Sequence, residues 1–222
     1  PLCIMKGYLG LLQMMAKDDE DGNPEAAEYI DTCLLNIDRA GHILEHIRKF
    51  SRDGAGEAEK VDCVKSLRNV LDFFGEQFGK RGIKLELKVP DTLPPVLMSP
   101  ALLEQSMVAL LANARDSFIA EGACREGRNV KVTLEGLRGS VVLTVEDNGA
   151  GMSREVLERC TEPFFTTSAD NTGVGLALTR IVASRYRGTL KVNSISGRGC
   201  DVILSFPIHR EAGNTENING VA

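Results

Sequence analysis

Residues 143–151 place a carboxylate, an amide and two glycines directly after an apolar run, in the order LTVEDNGAG. Asp147 can accept a hydrogen bond from an exocyclic amine such as the adenine amino group. Gly149 and Gly151 allow positive φ and a close approach of the backbone to a flat ligand. These residues therefore predict the purine end of a nucleotide site. The alternative is a strand that ends in an ordinary Asn-Gly turn.

A second candidate group is the amide of Asn113, which lies in the run ALLEQSMVALLANARDS at 101–117. Apolar residues recur there at helical spacing, and an amide buried on such a helix needs a partner. One partner is Mg²⁺, which takes a few protein oxygens and completes its shell with phosphate oxygens and water. The alternative partner is a neighbouring backbone carbonyl.

A glycine pair, Gly173 and Gly175, opens a third segment, GVGLALTR at 173–180. The free N–H groups at a helix N-terminus suit an anion such as a triphosphate. The alternative is a helix entry that uses glycine for ordinary flexibility. Together the three segments predict a site for a purine nucleotide and a divalent ion.

The order and spacing of four segments resemble the catalytic and ATP-binding domain of sensor histidine kinases. This domain belongs to a wider family shared with gyrase, a heat-shock chaperone and the MutL repair proteins. The segments are LLANARD at 110–116, DNGAG at 147–151, EPFFTT at 162–167 and GVGL at 173–176. They resemble the asparagine box, the first glycine box, the phenylalanine box and the second glycine box, and the resemblance covers nearly the whole chain.

The resemblance implies that the chain binds ATP and Mg²⁺. Asp147 would select adenine, with Met152 beside the base and Gly149 and Gly151 at the floor of the pocket. Asn113 would hold Mg²⁺. Asp116, one turn along, could face the ribose or the water ligands of the metal. The lid and second glycine box would supply the remaining contacts, at Thr166, Thr167, Gly173, Val174, Gly175 and Leu176.

The elements before this domain are predicted to be an antiparallel helical hairpin in residues 1–52. Apolar residues follow helical spacing over 1–16, and a second helix beginning at Pro24 carries a nearly seven-residue repeat. A hairpin cannot bury two such stripes alone, so we expect a homodimer through residues 1–52 that closes a four-helix bundle. The alternative is that the stripe packs on the following domain.

The rest of the chain predicts a two-layer α/β sandwich, which makes the whole chain α+β. A polar, glycine-bearing linker is expected at 53–60, the ATP-binding domain at 61–208, and a tail or linker at 209–222. One sheet of about five strands should carry helices on one face. Strands are predicted at 61–63, 83–89, 130–134, 141–146, 188–194 and 200–206. Helices are predicted at 64–80, 101–120 and 174–186, a proline-rich loop at 90–100 and a lid at 153–172.

Composition argues against several other classes of protein. The net charge of −5 over 222 residues makes a nucleic-acid backbone an improbable partner. No apolar stretch reaches the ~20 residues that span a bilayer, so no membrane contact is expected from this segment, although an anchor could precede it. Six scattered cysteines without a Cys-x-x-Cys pair indicate reduced thiols and a cytoplasmic location.

The start of the chain, PLCIMKGY, resembles the segment just after the phosphoacceptor histidine of sensor kinases. We therefore expect that histidine immediately upstream of Pro1. The resemblance implies transfer of its phosphoryl group to an aspartate of a response-regulator receiver domain. His42, His46 and His209 do not lie in a phosphoacceptor context.

The chain departs from the family pattern at two positions that bear on activity. Ala109 stands where a second asparagine is common, and Ser168 stands where a lysine often follows the threonine pair. The leading hypothesis is a protein histidine kinase. The alternatives are a degenerate nucleotide-binding dimeric scaffold, an ATPase of the gyrase, chaperone or MutL kind, and a serine kinase of the anti-sigma type.

Overall fold

A computed structural model of the chain describes residues 2–18, 29–34, 37, 41, 57–119, 127–168 and 171–209. The chain divides into two compact units, residues 1–54 and 55–222. In the first unit, helix α1 covers Leu2–Asp18 and residues 29–34 are also helical. Most of the remainder of the predicted hairpin lies outside the described residues, as do residues 53–56 of the predicted linker and the tail beyond residue 209. The predicted linker bounds of 53–60 are too long, because Glu59 and Lys60 already belong to a strand that pairs with residues 97–98.

Helix α1 exposes a series of large apolar side chains. Each of them keeps between 47% and 67% of its surface accessible, and they are Met5, Tyr8, Leu11, Leu12 and Met14. Among the described residues, no helix has both the length and the apolarity that a bilayer crossing requires.

The second unit contains four described helices and seven strands. The helices are α2 (Cys63–Lys80), α3 (Pro100–Asp116), α4 (Arg154–Arg159) and α5 (Gly175–Arg185). The strands are β1 (Glu59–Val61), β2 (Lys84–Lys88), β3 (Val96–Met98), β4 (Asn129–Leu137), β5 (Ser140–Asp147), β6 (Thr189–Ile195) and β7 (Gly199–Pro207).

The main sheet has five strands in the order β2-β4-β5-β7-β6. The β2–β4 pair is parallel and the other three pairs are antiparallel. This architecture agrees with the mixed α+β sheet-and-helix fold expected from the sequence. A second sheet, formed by β1 and β3 in antiparallel pairing, was not predicted.

The core lies between the helices and one face of the main sheet. Strand β7 buries the alternate residues Val202, Leu204 and Phe206, and β5 buries Val141, Leu143 and Val145 together with Val142. Helix α3 buries Leu103, Met107, Leu110 and Leu111. The opposite face of the sheet carries the charged pair of Lys131 and Glu146, whose nitrogen and oxygen are 2.7 Å apart. The apolar residues of the strands and those of α3 therefore meet in one apolar layer between the sheet and the helix.

Two features fix the elements that border the candidate site. Helix α3 begins with Pro100 in its first turn, where the missing N–H leaves no helical bond unmade. Helix α5 begins at Gly175, where a Cβ atom would lie 3.4 Å from the Cβ of Ala109 on α3. The two helices therefore approach closely at the point where α5 starts.

Candidate functional site

A cavity of about 50 Å³ lies among α3, the end of β5, the start of α5 and strand β7. Its lining is mainly apolar, with a few polar groups, as is typical of small-molecule sites. The lining residues are Leu110, Asn113, Ala114, Ser117, Val145, Asp147, Gly151, Met152, Leu176, Cys200 and Val202. Five of the residues predicted to contact a nucleotide are among them: Asn113, Asp147, Gly151, Met152 and Leu176.

Asp147, at the end of β5, is held by two hydrogen bonds to one oxygen. Its Oδ1 accepts from the hydroxyl of Ser117 at 2.9 Å and from the backbone N–H of Gly149 at 2.9 Å. Neither of these bonds uses Oδ2, and the backbone N–H of Cys200 also donates to the carboxylate. Oδ2 has further lone pairs with which to accept from a ligand in the cavity.

Burial raises the pKa of the Asp147 carboxyl above its ordinary value. The Gly149 N–H, and then the Ser117 hydroxyl, lower the pKa again, while the nearby carboxylate of Asp201 raises it further. Burial therefore outweighs the hydrogen bonds that favour the ionised carboxylate in the free protein. A ligand that donates a hydrogen bond would supply one.

Three glycines allow close backbone packing at or next to Asp147. A Cβ atom on Gly149 would lie 2.0 Å from the Oγ of Ser117, and one on Gly199 would lie 1.9 Å from the backbone oxygen of Asp147. Gly151 has φ +64°, and a Cβ there would lie 2.1 Å from the oxygen of Ile195. Positive φ was expected at both Gly149 and Gly151, and of these two the structure has it at Gly151 alone. The close approach of Gly199 to Asp147 was not anticipated.

The loop after Asp147 is bonded to the β6–β7 hairpin. The N–H of Met152 donates to the Oγ of Ser194 at 2.9 Å, and that hydroxyl donates to the oxygen of Gly199 at 2.8 Å. The N–H of Gly197 donates to the oxygen of Ala150 at 2.7 Å. These bonds fix Met152 at the edge of the cavity.

Asn113, on α3, is one of the residues that line the cavity. In the described part of the chain this amide has no hydrogen-bond partner, so its oxygen is available as a ligand. The described residues contain no group of three or more His, Cys, Asp or Glu that could hold a metal ion by themselves. A single amide oxygen fits Mg²⁺, which takes most of its shell from phosphates and water.

Asp116 does not line the cavity. Its Oδ1 lies 2.7 Å from the Nε of Arg115 and 3.8 Å from a guanidinium nitrogen of Arg81. Its Oδ2 lies 3.5 Å from the amide nitrogen of Asn171, in the predicted lid. The carboxylate thus joins the ends of α2 and α3 to the segment that precedes α5.

The phenylalanine box packs on the second glycine box. The N–H of Phe164 donates to the oxygen of Gly173 at 2.9 Å. Gly173 has φ +66°, and a Cβ there would lie 2.5 Å from the oxygen of Phe165. The guanidinium of Arg159 lies 4.3 Å from the centre of the Phe165 ring. The two boxes therefore form one packed segment before α5.

The other lid residues lie outside the cavity lining. Thr166 accepts from the N–H of Ser168 and donates to its oxygen, both at 3.1 Å, and Thr167 is exposed. Val174 is buried as the N-cap residue of α5, and Gly175 follows it. Residues 169–170 lie outside the described part of the chain.

Several lining residues were not predicted as site residues. They are Leu110, Ala114, Ser117, Val145, Cys200 and Val202. The alternation of β7 could have indicated that Cys200 and Val202 face the core, but not that β7 lies next to β5. Burial raises the pKa of the Cys200 thiol to about 12, so this residue presents a neutral thiol to the cavity.

Comparison with known proteins assigns the family. Residues 98–210 match the model of the histidine kinase-, DNA gyrase B-, and HSP90-like ATPases. The chain belongs to this ATPase family. The match begins in β3 and includes all four boxes and the cavity.

Relatives of this ATPase-family chain include sporulation kinase E of Bacillus subtilis. It is 25% identical over 218 residues, which are 98% of this chain and 28% of that protein. The chain spans about a third or less of the first curated relatives that it matches.

Two solved histidine kinases have a similar fold. Full-length ShkA in complex with AMPPNP has a TM-score of 0.63 at 23% identity, covering 92% of this chain and 43% of ShkA. ThkA in complex with the response regulator TrrA has a TM-score of 0.66 at 21% identity, covering 91% of this chain and 57% of that chain.

Proposed function

We propose that this chain is the kinase core of a two-component sensor histidine kinase. It would bind ATP with Mg²⁺, phosphorylate a histidine upstream of Pro1 and pass the phosphoryl group to an aspartate of a response regulator. The observation that carries this proposal is the joint placement of Asp147 and Asn113 in one apolar cavity. The family match and relatives that are themselves named as histidine kinases support it.

Adenine recognition would rest on Asp147. Its Oδ1 is already bonded to Ser117 and Gly149, and Oδ2 would accept from the adenine amino group. The base would lie against Met152 and the apolar lining. Gly149 and Gly151 would shape the floor, because their missing side chains let the backbone approach.

Phosphate and metal binding would use the other end of the cavity. The amide oxygen of Asn113 would hold Mg²⁺, which supplies charge neutralisation at the phosphates when bound. Asp116, one turn along α3, would face the ribose or the water ligands of the metal. The N-terminus of α5 and the lid would contact phosphate oxygens through Thr166, Thr167, Gly173, Val174, Gly175 and Leu176.

Residues 1–52 would form the dimerisation and phosphotransfer hairpin. Two observations support this assignment. Helix α1 exposes large apolar side chains along its length, and the Gln13 amide donates a hydrogen bond to the carboxylate of Asp31 in the second helical segment. The linker would run from residue 53 to the start of β1 at Glu59, two residues before the ATP-binding domain predicted at 61–208, with a tail or linker at 209–222.

The protein would act in the cytoplasm. Its partners would be a second copy of the chain and a receiver domain. The complex of ThkA with TrrA is a precedent for a fold of this kind with a response regulator.

The proposed activity is tested with radiolabelled ATP and a longer chain that includes the residues before Pro1. We expect label on a histidine and its transfer to a receiver aspartate. The same chain with Asn113→Ala should lose the label, because the metal ligand is removed. Nucleotide binding without any histidine label in the unsubstituted chain would contradict kinase activity.

A dimeric scaffold that binds nucleotide without transfer is the second candidate, and Ala109 favours it. This residue lies on α3 beside the first residue of α5, where Gly175 approaches it, and it offers no metal ligand. If the scaffold hypothesis is right, the unsubstituted chain should bind nucleotide and form no histidine label. A gain of label in Ala109→Asn would then show that the missing amide is what limits transfer.

A further inference from the structure

Ser117, the residue that follows α3, has one hydroxyl proton and two acceptors in reach. Its Oγ lies 2.8 Å from the backbone oxygen of Ala114 and 2.9 Å from the Oδ1 of Asp147. A hydrogen bond to a carboxylate is stronger than one to a neutral carbonyl. The proton therefore goes to Asp147 while this carboxyl is ionised.

The backbone around Ser117 leaves its side chain little choice of position. The N–H of Ala150 donates to the oxygen of Ser117 at 3.1 Å. Gly149 approaches so closely that a Cβ there would lie 2.0 Å from the Ser117 Oγ and 2.6 Å from its Cβ. The end of α3 and the loop after β5 thus enclose the hydroxyl beside the carboxylate.

We propose that Ser117 is a positioning residue for nucleotide selection: its hydroxyl holds the Oδ1 of Asp147, so that Oδ2 faces the ligand. This inference rests on the proposed nucleotide site, since it assigns a role within that site. The hydroxyl acts through Asp147, and contact with the base is made by the carboxylate.

The arrangement implies a specific dependence on pH. The groups that face the Asp147 carboxyl are the N–H of Gly149, the hydroxyl of Ser117, the N–H and neutral thiol of Cys200, and the carboxylate of Asp201. Burial and Asp201 raise the pKa of Asp147, and the Ser117 hydroxyl opposes that rise. Without the hydroxyl, the carboxyl takes up its proton at a higher pH.

The test is a calorimetric titration of the whole chain with AMPPNP and Mg²⁺, from mildly acidic to neutral pH. Ser117→Ala should bind about tenfold more weakly at neutral pH, because a hydrogen bond to a charged group is lost. It should also lose binding on acidification at a higher pH than the unsubstituted chain does. Ser106→Ala is the matched control, because Ser106 on α3 donates to the oxygen of Leu102 and does not line the cavity.

An unchanged affinity and acid midpoint in Ser117→Ala would overturn the proposal. A loss of nucleotide affinity by the same factor at every pH would also overturn it, because a purely structural role of Ser117 predicts that result. If Ser117→Ala does not fold, Ser117→Cys keeps a weak donor at the same place and should shift the midpoint in the same direction by less. If the unsubstituted chain does not bind AMPPNP at any pH, the proposed nucleotide site itself is contradicted. If the unsubstituted chain binds and Ser117→Ala behaves identically, only the role of Ser117 is contradicted.

Discussion

At the scale of single residues, Asp147 combines a proposed binding role with a buried position that disfavours its charge in the free protein. Burial raises its pKa, which means that the folded chain disfavours the ionised carboxylate. An acid with a raised folded pKa binds its proton more tightly in the folded than in the unfolded state. Stability therefore falls as pH rises from the ordinary carboxyl pKa through the folded value, and the loss is complete above it.

Asp147→Asn should separate binding from stability. The amide oxygen can still accept from Ser117 and Gly149, but the amide nitrogen would meet the adenine amino group donor to donor. We expect a loss of nucleotide affinity of about a hundredfold or more. At neutral pH the melting temperature should be equal to or above that of the unsubstituted chain, and this difference should shrink on acidification. Calorimetry and thermal unfolding at several pH values measure the two effects.

Either of two results would contradict this view of Asp147. One is nucleotide binding by Asp147→Asn with unchanged affinity. The other is a marked drop in melting temperature at neutral pH, which would show that the charge itself stabilises the fold.

Gly149→Ala should disturb the same hydrogen bonds through sterics. The added Cβ would lie 2.0 Å from the Oγ of Ser117, so Ser117 or the loop must move. We expect a loss of about 1–3 kcal/mol in the free energy of unfolding and weaker nucleotide binding. Gly75→Ala is the control, because this α2 glycine has open space around it and should gain about 0.5–1 kcal/mol. Denaturant unfolding measures the free energy of unfolding of both variants. Equal changes in the two variants would contradict the steric argument.

At the scale of elements, long periodic segments were predictable and short ones were not. Helices α2, α3 and α5 and the strands of the main sheet follow their apolar spacing and lie within a few residues of the predicted bounds. Strand β3 was missed because it has only three residues and directly follows Pro94 and Pro95, which indicated a loop. Its pairing with β1 is a long-range contact that no local pattern shows. Helix α4 is a single short helix with no buried residue, so it has no apolar pattern to detect.

The site was predictable where it depended on motifs and not where it depended on neighbours. Asp147 and Asn113 stand out as polar groups within apolar runs. Ser117 and Cys200 reach the cavity only because β5 pairs with β7 and the loop after β5 packs on the end of α3. The order of strands in a sheet is set by long-range packing, so it cannot be predicted from a local sequence pattern.

Gly173→Ala should uncouple the two boxes that precede α5. Its φ of +66° is costly for alanine, and the added Cβ would lie 2.5 Å from the oxygen of Phe165. Gly82→Ala has nearly the same φ, +64°, with open space around it, and so reports the backbone strain alone, about 1–2 kcal/mol. We expect weaker nucleotide binding in Gly173→Ala and unchanged binding in Gly82→Ala. Equal nucleotide affinities in the two variants would show that this junction does not support the site.

At the scale of the whole molecule, the exposed apolar side chains of α1 predict self-association. Leu12 is 51% exposed, and replacing it by lysine should shift the chain from dimer to monomer in sedimentation. Leu137, 50% exposed at the end of β4, is the matched control, and Leu137→Lys should leave the dimer intact. A monomeric unsubstituted chain at high concentration would contradict the proposed dimer.

The whole account depends on one claim, that the cavity beside Asp147 holds the base of ATP. The most direct test is a crystal structure of the chain soaked or grown with AMPPNP and Mg²⁺. The account predicts the adenine amino nitrogen about 2.7–3.2 Å from the Oδ2 of Asp147, with Ser117 still bonded to Oδ1. A base bound elsewhere, or an empty cavity at saturating nucleotide, would contradict it.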